Sequence, residues 1–180
     1  YILEAKRENG TLGKTATVIK TIVTTDMAFE IAKTYGVNVE EVLTGFKYIG
    51  EKMDETDNFV MGLEESYGYL IGNHARDKDA VVASMLCAEM VCYYAYIGKS
   101  VFDRLQEIYE KYGYVLDKNV SIQYSGLNAM KEMNAVVNAL KTMQVDDFAG
   151  VKVEAVRDYS AAKRTDADGN VETLDIPKCN

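Results

Sequence analysis

Ala16-Thr17-Val18-Ile19-Lys20-Thr21-Ile22-Val23 is dense in β-branched residues, whose stiff side chains pack best on a pleated strand. Met27-Ala28-Phe29-Glu30-Ile31-Ala32-Lys33-Thr34-Tyr35 follows with helical apolar spacing, and Gly36 closes it. Residues 41–43 then form a short strand leading into Thr44 and Gly45. Strand, helix and strand in this order make a β-α-β unit, the connection that joins parallel strands.

Downstream, the alternation continues. Residues 46–53 suit a short helix, 59–63 a third strand and 77–97 a long helix with Asp77 or Asp79 at its start. Val101, Leu105, Ile108 and Tyr112 mark an amphipathic helix over 100–112, which Gly113 ends. This is an α/β pattern with a mostly parallel sheet, and the first domain is read as 1–113. Upstream, residues 1–8 read as the last turns of a helix closed by Asn9 and Gly10. The second domain, 114–180, opens with a strand at 120–124. A helix carrying Leu127, Met130, Met133, Val137 and Leu140 follows, then strands at 151–156 and 171–176, with a hairpin turn at Asp168-Gly169. Both ends read as cut: the chain starts at Tyr1, and the last strand runs into residues 177–180 without a polar tail. A piece of a longer protein is expected.

Composition narrows the function. The 180 residues are 48% hydrophobic and 27% charged, with 13 Gly and one Pro, which excludes disordered, collagen-like and coiled-coil chains. Twenty Lys and Arg against 28 Asp and Glu leave a net charge of −8, unsuited to a broad nucleic-acid or anionic-membrane surface. Any anion site must be local. Cys87, Cys92 and Cys179 are an odd set with no framework spacing, as expected for reduced thiols in a cytoplasm. Residues 81–97 carry only Glu89 as a charge but fall short of a membrane span, so a buried core helix is expected there. On that helix Cys87 and Cys92 lie roughly 140° apart and cannot share a zinc ion.

The densest polar stretch is Gly62-Leu63-Glu64-Glu65-Ser66-Tyr67-Gly68, with Arg76-Asp77-Lys78-Asp79 soon after. It follows a strand, and ligands of open α/β sheets bind outside the carboxyl ends of strands. On spacing alone, a polar turn with solvated charges and a helix cap is the plainer reading. His74 is the only histidine, so no His-rich metal site exists. Asp166-Ala167-Asp168-Gly169 imitates part of a calcium loop but lacks its closing ligands, and a turn is expected.

The combination of Val18-Ile19-Lys20-Thr21-Ile22-Val23-Thr24-Thr25, Thr44-Gly45-Phe46-Lys47-Tyr48-Ile49-Gly50, the Gly62 to Gly68 loop and Arg76-Asp77-Lys78-Asp79-Ala80-Val81 resembles the α-D-phosphohexomutases, most closely their bacterial phosphoglucomutase branch. The resemblance covers about 1–112 and matches the third of that family's four domains. It implies a three-layer domain with a mixed, mostly parallel sheet between helices, followed by the truncated start of an α+β fourth domain. It also implies reversible movement of phosphate between O1 and O6 of a hexose through glucose 1,6-bisphosphate. A phosphoserine in the first domain and Mg2+ held in the second assist. Neither of those loops, nor the fourth domain's phosphate loop, occurs in this sequence, so the chain alone is expected to be inactive and to hold no metal.

By the same resemblance, Glu64 and Ser66 read the sugar hydroxyls, and Thr44, Gly45 and Phe46 join the substrate site. Lys20, Arg76 and Lys78 stand near phosphate, with Lys78 also a catalytic candidate for proton transfer. Glu65 should point away from the sugar. The plainer readings are a solvated strand-end lysine for Lys20 and an ion pair with Asp77 or Asp79 for Arg76. Tyr67-Gly68 after the Glu-x-Ser favours glucose over mannose. The implied partners are a hexose phosphate and the remaining domains of the same polypeptide, with no nucleic acid and no membrane. A phosphomannomutase, a phosphopentomutase or a stand-alone sugar-phosphate-binding module are the alternatives.

Overall fold

In the computed structural model, which describes residues 1–118, 120–143 and 145–176, the β-branched stretch forms β1 (Thr17–Thr21) with every residue buried. It runs parallel to β2 (Asn38–Val42) on one side and to β3 (Phe59–Glu64) on the other. β4 (Gly68–Ile71) pairs antiparallel with β3, giving the order β2-β1-β3-β4. The sheet is therefore mixed and mostly parallel.

Neighbouring residues of β1 face opposite layers, because side chains alternate along a strand. Val18 packs with Leu3, Ala32 and Val37 from the side of α1 (Ile2–Glu8) and α2 (Met27–Tyr35). Ile19 packs with Phe46, Ile49 and Met53 of α3 (Phe46–Asp54) on the other side. Three layers result, as an α/β alternation requires. Gly36 ends α2 in the left-handed region at φ 67°, and Gly45 opens α3 at φ 116°. α4 (Ala80–Tyr96) starts at Asp79, whose carboxylate accepts the Val81 and Val82 N–H groups. α5 (Val101–Tyr112) starts with a reciprocal Ser100–Asp103 capping box.

Two expectations need correction in this unit, Tyr1–Asp117. β4 was not anticipated, because Ser66-Tyr67-Gly68 reads as loop while the chain in fact folds straight back on β3. The 77–97 helix is not a buried core helix: only Tyr94 is buried, Val81, Met85 and Val91 are exposed, and so are Cys87 and Cys92. A helix apolar all round can bury only the stripe that meets its one neighbouring layer. Among the described residues no single helix is long and apolar enough to cross a membrane, and α4 and α5 are bent by 87° at their junction.

The second unit is Lys118–Asn180. It holds α6 (Ala129–Thr142), a two-stranded β5 (Asp147–Phe148) and β6 (Val151–Lys152), and a three-stranded sheet. That sheet is β7 (Ala155–Asp158), β8 (Lys163–Asp166) and β9 (Val171–Thr173). The expected strand at 120–124 does not form among its described residues, since alternation alone gives no ladder partner. The 151–156 strand divides between β6 and β7, and the 171–176 strand contracts to β9. The Asp168-Gly169 turn joins β8 to β9, with Gly169 at φ 85°. Asp166 accepts the Asp168 and Asn170 N–H groups, so its carboxylate ties the turn. Cys179 and residues 177–180 lie outside the described residues.

Candidate functional site

Three parallel strands place their carboxyl ends on one edge of the sheet, and the loops after β1, β2 and β3 gather there. Glu64 ends β3, and the chain reverses through Glu65, Ser66 and Tyr67 into β4. Its carboxylate is buried, with 7% of the side chain exposed. Lys78 Nζ donates to Glu64 Oε1 at 2.7 Å and lies 3.2 Å from Ser66 Oγ. Ser66 Oγ also donates to Glu64 Oε1. The Gly45 N–H adds a fourth interaction from the loop after β2. Burial by itself pushes the Glu64 carboxyl up, but the bonds from Lys78, Ser66 and Gly45 outweigh it and hold the group below the usual carboxylate range.

The turn itself is shaped around Glu64. A Cβ on Gly68 would sit 2.7 Å from Glu64 Cγ and 3.1 Å from both Glu64 Oε1 and the Phe46 ring. Only glycine leaves room there for the carboxylate. Tyr67 adopts φ 57°, uncommon for a residue with a Cβ, and the residue is 92% exposed. Lys78 is delivered by the approach to α4: the Asp79 N–H bonds the Tyr69 carbonyl at 2.8 Å. Asp79 is anchored in turn by His74 Nε2 at 2.9 Å and by the first turn of α4, which hold its carboxyl below the usual range.

The residues singled out in the sequence divide into two groups. Glu64, Ser66, Lys78 and Gly45 meet, with Thr44 exposed beside them. Phe46 does not present its ring to the cleft; it is core beneath the turn. Lys20 is neither the solvated lysine nor a phosphate donor in this arrangement. Its side chain is fully buried, and Nζ is directed at Glu41 Oε1 (2.7 Å), the Thr24 carbonyl (3.0 Å) and Asp26 Oδ1 (3.1 Å). The reason is register: Lys20 pairs with Glu41 across β1 and β2.

Arg76 is also apart from the cluster. Its guanidinium binds Asp54 at 2.6 Å and the carbonyls of Asn73 and Ala75. Asp54 is the last residue of α3, while Gly45 precedes its first; nine residues at 1.5 Å each separate the two ends by roughly 13 Å. The partner is thus Asp54, not Asp77 or Asp79. Sequence reasoning overlooked Thr21 and Thr24, whose hydroxyls donate to Glu65. Their only signal was two hydroxyl residues at the end of a strand, which is too common to select. Among the described residues no three His, Cys, Asp or Glu side chains converge to hold a metal ion.

An ionised carboxylate accepts hydrogen bonds, a serine hydroxyl both donates and accepts, and an ammonium donates. Together at a sheet's carboxyl edge they suit a ligand rich in hydroxyls that also carries an anion. This is a three-layer α/β domain with a polyol-compatible turn. Residues 1–112 match the family model described as phosphoglucomutase/phosphomannomutase, alpha/beta/alpha domain III. The chain belongs to the phosphoglucomutase/phosphomannomutase family.

It is similar to a phosphoglucomutase of Staphylococcus haemolyticus, 35% identical over 91% of this chain and 30% of that protein. It is also similar to a phosphoglucomutase of Staphylococcus aureus, 31% identical over the same shares. A solved structure assigned as a phosphomannomutase from Thermus thermophilus shares the fold, with a TM-score of 0.52 and 24% identity over 63% of this chain and 25% of that one. The chain thus spans about 30% of the length of the curated relatives it matches.

Proposed function

We propose that this chain is the sugar-reading part of a cytoplasmic phosphoglucomutase, which interconverts glucose 1-phosphate and glucose 6-phosphate with Mg2+ and glucose 1,6-bisphosphate. The observation that carries the reading is the Glu64–Ser66–Lys78 cluster at the carboxyl edge of the sheet. Glu64, kept ionised, accepts from two neighbouring sugar hydroxyls, and Ser66 adjusts its hydroxyl to either orientation of the sugar. Such tolerance is what a reaction at both ends of one hexose demands. Lys78 supplies positive charge beside the phosphate and a proton where the leaving oxygen needs one. The described residues offer no ligand set for magnesium.

The test is a two-dimensional NMR titration of the 180-residue chain with glucose 1-phosphate, glucose and inorganic phosphate. The expected result is weak binding of the sugar phosphate that shifts the Glu64, Ser66 and Lys78 amides, since one part of a cleft desolvates little of the ligand. Shifts confined to other residues, or equal shifts with phosphate alone, would remove the sugar-reading role. A coupled assay of the chain alone should give no turnover.

A further inference from the structure

We infer that Glu65 is a positioning residue: with Thr21, Thr24 and Lys20 it forms a polar strut that presets the turn carrying Glu64 and Ser66. The sugar-reading part of this inference rests on the function proposed above; the strut itself does not.

Glu65 Oε2 accepts from Thr21 Oγ1 at 3.1 Å and from Thr24 Oγ1 at 3.0 Å. Both threonines are buried. Their hydroxyls also lie 3.0 Å apart, and Thr24 Oγ1 accepts the Thr21 N–H at 3.2 Å. Two hydroxyl protons need two acceptors, and the threonine–threonine contact can use only one of them. Removing the Glu65 carboxylate therefore takes from this network the acceptor that serves both hydroxyl protons.

Lys20 sets the far end of the strut. Its buried ammonium holds the Thr24 carbonyl at 3.0 Å while pairing with Glu41 and Asp26. The loop after β1 is thereby fixed before it meets Glu65. On the turn, the two adjacent carboxylates are drawn to different donors: Glu64 to Lys78, Ser66 and Gly45, and Glu65 to the threonine pair. Anchored in this way on both sides, the backbone of Glu64 and Glu65 has little freedom to swing. The turn needs such anchoring because Tyr67 sits in the left-handed region that a residue with a Cβ disfavours.

The experiment compares amide hydrogen exchange in the 180-residue chain for wild type, Glu65→Ala and Glu65→Gln, followed by glucose 1-phosphate titration of each. Glu65→Gln retains a carbonyl oxygen that can accept both threonine protons. Glu65→Ala should speed exchange at residues 64–68 about tenfold while β1 and β2 keep their protection, and Glu65→Gln should restore wild-type rates. Sugar-phosphate binding should weaken in Glu65→Ala and recover in Glu65→Gln. Unchanged exchange at 64–68 in Glu65→Ala, equal loosening of β1 and β2, or no rescue by glutamine would overturn the strut. If the exchange pattern holds but glucose 1-phosphate leaves Glu64 and Ser66 unmoved even in wild type, the sugar reading falls and the strut stands.

Discussion

The two ends of α3 carry the same kind of pair in different surroundings. At its start, Lys78 meets a Glu64 carboxylate that is 7% exposed and also takes bonds from Ser66 and Gly45. In its last turn, Arg76 meets Asp54 with 48% and 61% of the two side chains exposed. Distance does not separate them, since both pairs are within 2.7 Å. Burial does. In water a pair this exposed gains little after side-chain entropy and screening are counted, whereas a buried carboxylate that loses its donors keeps its desolvation cost. A site is recognised by what the surroundings would lose, and only the first pair lies in such surroundings.

Lys20 extends that comparison to full burial, and its loss should have the largest effect on stability. Lys20→Met removes an ammonium that is 0% exposed and leaves Glu41 and two carbonyls without it. A loss of about 3 kcal/mol is expected in urea unfolding. A loss below about 1 kcal/mol would show that burial is not what distinguishes these pairs.

Next comes Glu64→Gln, which keeps size but exchanges an acceptor oxygen for an amide donor. Glucose 1-phosphate binding should weaken roughly tenfold or more, as for a lost charge-assisted bond of about 1.5–3 kcal/mol. Gly68→Ala approaches the same carboxylate sterically, because the new Cβ would lie 2.7 Å from Glu64 Cγ. It should weaken binding by a similar factor with Glu64 itself intact, and the Glu64 and Lys78 resonances should move together. Full binding by Gly68→Ala would mean that Glu64 is free to take another rotamer.

Acid offers a milder probe. Lys78, Ser66 and Gly45, acting against burial, hold the Glu64 carboxyl below the usual carboxylate range. Its contribution is therefore complete above the ordinary glutamate range and is lost as pH falls through its lower folded value. Unfolding free energy measured from pH 6 downward should fall through this window in wild type, with a shallower slope in Glu64→Gln. Smallest of all, Arg76→Ala should change stability by no more than about 0.5 kcal/mol and leave sugar-phosphate binding alone. A clear loss of binding would return Arg76 to the site.

Much of the fold was legible because its signals are short-range. β-branched runs, helical spacing, the glycine after α2 and the aspartates before α4 each act over a few residues. The turn at Glu64 to Gly68 was legible as a motif. β4 escaped because a tight reversal and a loop share the same residue types. The exposed face of α4 escaped because composition reports how apolar a helix is and not how many layers surround it.

The order of residues along the chain thus dictates the alternation of strands and helices, the parallel core of the sheet, and the edge at which a polar turn would lie. Which charges meet is settled by packing. Lys78 reaches Glu64 across 14 residues, Lys20 reaches Glu41 across 21 and Arg76 reaches Asp54 across 22. Local propensity is set by a residue's immediate neighbours, but the partner of a charge, and the water around it, depend on the register and packing of elements far apart in the chain.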